Sequence, residues 1–272
     1  MIRRTLALAV AATLLVTALL AAHDMFLKPA QFFVAENASL PAILLNGTFD
    51  KSSNSINRTR IADLSMVGPK GRTRIDTTAW ATAGDTSRIV YATGPAGTYV
   101  FAVSTKASEI ELPAKSFNGY LKEDGLPDEL ARRTKARELG ADAKERYSKH
   151  VKAIVQVGDR RSNDFATVLG YPAEIVPVDN PYLVKIGGTL TVKALVDGKP
   201  LPNALVLYGA RAPSGKAIPE RTTRAGADGI ARVPVASAGV WYVKFISMTR
   251  LGKRPDGVTH ESKWATLTFP IR

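Results

Sequence analysis

The chain has 272 residues, no cysteine, and 37 Lys and Arg against 24 Asp and Glu, a formal charge of +13. Without cysteine there is no disulfide, no lipoprotein anchor and no thiol nucleophile, and redox chemistry does not report the compartment. The basic residues are scattered and no aromatic-studded basic motif appears, which argues against a nucleic-acid binder.

Arg3 and Arg4 form a basic leader to an apolar run, Thr5 to Ala22, that ends in two alanines. The run is short for a membrane span and has the layout of a secretory signal. Export to the periplasm is the expectation, with residues 1–22 as the signal peptide and an uncleaved signal anchor as the alternative. Cleavage after Ala22 makes His23 the first residue; cleavage after Ala21 leaves Ala22 ahead of it. Without residues 1–22 the chain holds 35 basic and 24 acidic residues, about +11. A basic, soluble exported protein with no stable membrane anchor is the simplest reading of that charge.

From 23 to 112 the chain reads as short strands between turns. "LPAILLNG" (Leu40–Gly47), "RIVYAT" (Arg88–Thr93) and "TYVFAVST" (Thr98–Thr105) are rich in β-branched or aromatic residues, and "GPAG" precedes the last as a turn. Between 113 and 150 the composition shifts to helix formers. Asp128 is placed to cap a helix running to about Leu139, with Gly140 as its stop, and a second helix is expected from about Asp142 through Tyr147. From Val151 the apolar residues alternate again, so 151–272 is expected to be a second β domain. "GGTLTVKALVDGKPLPNALVLYGA", "GVWYVKFISM" and "KWATLTFPI" supply its strands. The expected fold is mainly β: two β-sandwich domains of immunoglobulin- or prealbumin-like kind with a helical insert between them. Trp241, Trp264, Tyr242 and Phe245 are expected in the core. Arg132, Arg133, Lys135, Arg137, Lys144, Arg146, Lys149 and Lys152 make the insert basic, as a solvated helix face or a dock for an acidic loop of a membrane transporter or for anionic lipid head groups.

Four phrases occur in order: "HDMFLKP" after the signal, "ERYSKHVKAIVQVGD" after the helices, "YPAEIVPVDNPYLVKIGGTLTVKALVDGKPLPNALV", and "ESKWATLTF" near the end. Together they resemble a bacterial family of exported domains of unknown function described as the periplasmic component of an ABC-type cobalt/nickel transport system (nickel uptake, NikM-like). That resemblance implies nickel or cobalt as the bound metal and an inner-membrane metal permease as the partner. Members often carry a histidine before the methionine of "FISMT"; here that position is Ser247.

The chain has three histidines, His23, His150 and His260. As a first residue, His23 offers an α-amine and an imidazole. Their ordinary pKa values, about 7.7–8.0 and about 6.5, let both bind a metal near neutral pH. Imidazole suits nickel, copper, zinc and iron, so copper and zinc stand beside nickel and cobalt. Asp24 adjoins the pair, and Glu261 adjoins His260. The expected metal set is therefore His23, His150, His260, Asp24 and Glu261. "HESK" lacks the second histidine of a zinc-protease motif, and no Walker loop, dinucleotide fingerprint or G-x-S-x-G elbow occurs, so no catalytic residue is assigned. The leading expectation is a metal-binding accessory protein without enzyme activity. A non-catalytic β-sandwich binding or structural module and a copper histidine-brace oxidative protein are the alternatives.

Overall fold

The computed structural model describes residues 23–272; the expected signal peptide lies outside the described residues. In chain order the strands are β1 (Asp24–Pro29), β2 (Phe33–Val34), β3 (Ser39–Gly47), β4 (Ile61–Gly68), β5 (Gly71–Arg74), β6 (Trp80–Ala83), β7 (Thr86–Ala92), β8 (Gly97–Thr105) and β9 (Ser108–Leu112). Helices α1 (Ala114–Glu123) and α2 (Pro127–Lys135) follow, then β10 (Ala143–Val157), β11 (Ala173–Pro177), β12 (Thr189–Val196) and β13 (Lys199–Pro200). The chain finishes with β14 (Leu205–Arg211), β15 (Ala217–Arg224), β16 (Ile230–Pro234), β17 (Gly239–Arg250) and β18 (His260–Ile271). The fold is mainly β, as expected.

One ten-stranded sheet runs the length of the molecule in the order β15-β14-β17-β18-β10-β8-β4-β5, with β2 and β9 also paired to β10. A four-stranded sheet, β1-β3-β7-β6, covers one face of its N-terminal half. Leu27, Leu44, Ile89, Phe101, Val103 and Val155 fill the space between, and the rings of Tyr91 and Phe101 stack 4.0 Å apart. The sheet formed by β11, β12, β13 and β16 covers the C-terminal half, over Leu190, Val192, Val243, Phe245, Leu267 and Phe269. Val100, Ala102 and Ile154, from the N-terminal half, belong to this second core. The seam is β10 against β18, the two strands running parallel with Lys149 opposite Trp264.

Because both faces of β10 are covered, it buries residue after residue, polar ones included. This overturns the expected second helix. The stretch from Asp142 through Tyr147 has helix-forming composition, yet Ala143 to Tyr147 pair with β9 on one side and Glu145 to Tyr147 with β18 on the other. Tertiary pairing outweighs a propensity difference of a few tenths of a kcal/mol per residue. His150, expected near the end of that helix, lies within a strand.

The expected first helix corresponds to α2 but is shorter: Asp128 lies with Glu129 inside its first turn after Pro127 rather than capping it, and it ends at Lys135, not about Leu139, with Arg132, Arg133 and Lys135 in its last turn. Helix α1 was not anticipated. Its Phe117, Tyr120 and Leu121 form an apolar stripe that packs on Trp264 and Ala143, with Ile246 and Met248 at the margin. The insert is also less basic outside than its composition suggests. Arg133 is buried and donates to the carbonyls of Glu138 and Ala141, and Lys149 and Lys152 are buried in β10. Trp241, Trp264 and Phe245 are core residues, and Tyr242 packs on Phe26 and Phe49. Among the described residues no helix is long and apolar enough to cross a membrane.

Candidate functional site

The chain enters the fold at a polar junction. Asp24 opens β1 opposite Gly47 of β3, which places His23 at the end of that sheet. Side chains alternate along a strand, so Glu145, Tyr147 and Lys149 of β10 share a face. Parallel pairing places His260, Ser262 and Trp264 of β18 on that same face. Helices α1 and α2 cover one end of it, and β1 and β3 cover the other.

Lys149 lies where those covers meet. Its Nζ donates to the carbonyl of His23 and to Asn46 Oδ1 at 2.9 Å, and it lies 5.2 Å from the Trp264 ring and 5.6 Å from the Tyr147 ring. Burial lowers its pKa to about 8, against the pull of Asp24 and Asp124. Asn46 is held in turn by Asn54 Oδ1 at 2.7 Å. One residue along, Asp24 Oδ2 accepts from Lys244 Nζ at 2.5 Å, and Lys244 also meets Glu220 at 3.1 Å. Burial works against the Lys244 charge, yet Asp24 and Glu220 lift its pKa above the ordinary lysine range. Asp24 Oδ1 is buried with no hydrogen-bond partner among the described residues. Thr266 Oγ1 secures the next residue, donating to the Met25 carbonyl at 2.7 Å. At the end of α1, Asp124 faces the same charges, and desolvation, followed by Asp24, raises its carboxyl to about 7.

Further along this face, Glu145 Oε1 accepts from Tyr120 at 3.1 Å and from Ser262, while Oε2 is buried without a partner among the described residues. Burial pushes the Glu145 carboxyl up.

The three histidines do not gather. His150 follows Lys149 and so points to the opposite face of β10. Its Nδ1 meets Ser104 Oγ at 2.8 Å, its Nε2 meets Ser148 Oγ at 3.0 Å, and burial lowers its pKa to about 3. Ser247, opposite Lys263 in β17, belongs to the His150 face rather than the His23 face. His260 shares the His23 face but is enclosed under the helices. Its Nδ1 meets Thr259 Oγ1 at 2.8 Å, its Nε2 meets Glu129 Oε1 at 3.1 Å, and its ring packs on Phe117 at 4.7 Å. Burial leads in lowering the His260 pKa, with Glu129 opposing it. Glu261, next along β18, turns to the other face opposite Arg146 and Thr249. Only His23 and Asp24 of the expected set stand together. Among the described residues no group of three or more His, Asp or Glu side chains gathers as a metal cluster. Lys149, Lys244, Asn46 and Asp124 were not singled out as site residues from sequence. The one local signal is Lys149 continuing, one step back, the alternating series Val151, Ala153, Val155.

The model of the family described as Domain of unknown function (DUF4198) matches residues 20–249. The chain belongs to the DUF4198 family. No curated protein matches the sequence. Among solved structures, this DUF4198 chain is similar at 10% identity to a DUF4785 family protein from Legionella pneumophila, with a TM-score of 0.26 over 80% of this chain and 50% of that one. It is similar at 10% identity to trypsin-activated alpha-2-macroglobulin from Escherichia coli, with a TM-score of 0.27 over 92% of this chain and 16% of that one. A third, the Yersinia pseudotuberculosis adhesin InvE, gives 14% identity and a TM-score of 0.24, over 90% of this chain and 58% of that one. The chain thus spans less than two thirds of each of these proteins.

Proposed function

We propose that the protein is an exported accessory protein of metal uptake that captures nickel or cobalt in the periplasm on a mature N-terminal His23 and passes it to an inner-membrane permease. The observation that supports this reading is the grip of Lys149 on the His23 carbonyl. A residue at the end of a processed chain is ordinarily loose. Here the residue that supplies two donors after cleavage, amine and imidazole, has its backbone fixed by a buried ammonium. The neighbouring Asp24 Oδ1 supplies a third, carboxylate donor. A terminal chelate of this kind does not need three convergent histidines, and it leaves coordination positions open for release to a carrier. His150 and His260 take no part, because each ring nitrogen already has a partner.

The copper histidine-brace alternative needs a second imidazole facing the first. His150 turns away from His23 and His260 is enclosed by Glu129, Thr259 and Phe117. The non-catalytic β-sandwich module keeps more support, since His150 and His260 are both buried with each ring nitrogen hydrogen-bonded.

The test is the intact mass of the exported chain together with calorimetric titration of nickel, cobalt, copper and zinc. A first residue of His23 and one bound metal, lost in His23→Ala, supports the proposal. A chain that begins elsewhere, or that takes up no metal from a His23 start, leaves the β-sandwich module as the reading.

A further inference from the structure

A second feature lies away from the His23 junction, where β1 and β2 of the N-terminal half meet the ends of β14, β17 and β18. It is a cleft of about 550 Å³ whose lining includes Lys28, Phe33, Arg211, Pro213 and Arg272 and no Asp or Glu. Three basic side chains thus line one concavity beside Phe33 and Pro213, one of them, Arg211, paired with Asp50 behind it.

Their hydrogen bonding is incomplete. Lys28 Nζ donates to the Phe49 carbonyl at 2.9 Å and lies 4.3 Å from the Phe49 ring. An ammonium has three N–H groups, so further donors remain. Burial, and then Arg211, lower the Lys28 pKa, so the cleft holds like charges at close range. Arg211 is anchored from behind by a bidentate ion pair, with Nε on Asp50 Oδ1 at 2.8 Å and Nη2 on Asp50 Oδ2, and Nη1 donates to the Gly215 carbonyl at 3.3 Å, which leaves one N–H on each terminal nitrogen. Arg272 stacks over the Phe33 ring at 3.2 Å and makes no hydrogen bond or ion pair among the described residues. Its planar fork, with five donors, matches the oxygens of a phosphate or sulfate.

We propose that this cleft binds a phosphate or sulfate monoester carried on a small apolar or ring-shaped body, the ester oxygens meeting Lys28, Arg211 and Arg272 and the body lying along Phe33 and Pro213. An anion there relieves the repulsion between Lys28 and Arg211. The mature chain's excess of basic residues draws such ligands toward it. The cleft shares no residue with the His23 site, so the two proposals stand or fall separately.

Calorimetric titration of the exported full chain with phenyl phosphate, phenyl sulfate and neutral benzyl alcohol tests it. Both esters bind and the alcohol does not. Lys28→Met and Arg272→Ala each weaken binding about tenfold, the scale of a charge-assisted hydrogen bond. A phosphate site shows phenyl phosphate tightening above pH 6, as its second proton leaves, whereas a sulfate site shows phenyl sulfate the tighter at every pH. Arg272 lies at the surface, so its variant keeps the test open if Lys28→Met folds poorly. No ester binding tighter than about 10 mM, or affinity unchanged in the folded variants, overturns the proposal.

Discussion

Lys149 of β10 holds the carbonyl of His23 and the side chain of Asn46 at once, tying the expected mature terminus to the central strand of the molecule. Replacing the lysine by methionine keeps the bulk and removes both bonds. Lys149→Met should lower metal affinity about tenfold while leaving one metal per chain, because the donors of His23 remain but are no longer held in place. Calorimetric titration reads the change. Unaltered affinity would mean that the grip plays no part in binding.

Lys152 and Glu174 form an ion pair sealed from solvent, with Glu174 also accepting from the backbone N–H groups of Leu169 and Gly170. Removing one partner strands the other. Lys152→Met should cost about 3–5 kcal/mol of unfolding free energy in urea titrations, and Lys152→Met with Glu174→Gln should recover part of it.

His150 stays neutral in the fold down to about pH 3, against about 6.5 in an unfolded chain. Its contribution is complete above pH 6.5 and is lost as pH falls toward 3, because the unfolded chain takes up a proton that the folded one refuses. The slope from this residue approaches about 1.4 kcal/mol per pH unit within that window. His150→Gln should flatten the stability curve between pH 6.5 and 4 and leave metal stoichiometry unchanged, as denaturation across pH and a metal titration will report.

Asp124 carries the opposite sign. Its folded carboxyl titrates at about 7, above the ordinary 3.8. The folded chain therefore keeps a proton that the unfolded chain gives up, and the stability due to this group falls as pH rises from 3.8 to 7. Asp124→Asn should match the parent at pH 4 and exceed it by about 1–2 kcal/mol at pH 8, discounted for partial exposure. Equal curves at both pH values would place the carboxyl in water.

Much of the β architecture was legible because its strands are rich in β-branched and aromatic residues and are bounded by turn signals. "TYVFAVST" became β8 within one residue, and "LPAILLNG" and "RIVYAT" became β3 and β7 with small shifts at the ends. The failures share a cause. The sequence AKERYSKH has helical composition and shows its strand character only through partners remote in the chain, Ser108–Leu112 and His260–Ala265. The stripe Phe117, Tyr120, Leu121 was present in the sequence at helical spacing, but Gly119 and Asn118 within it masked the helix. The candidate site was legible at His23 and Asp24, which stand at the expected cut. Lys149, Lys244 and Asp124 were not, since three segments far apart in sequence bring them there.

Strand β10 serves both halves of the molecule, lending one face to each interior and lying edge to edge with β18 from the far end of the chain. Severing the backbone in the loop beyond Val157 would therefore not release two self-sufficient pieces. The leading fragment would lack the neighbour that completes its longest strand, and the trailing one would lose part of the apolar filling that Val100, Ala102 and Ile154 provide. The halves are obligate companions, joined through the pairing of β10 with β18.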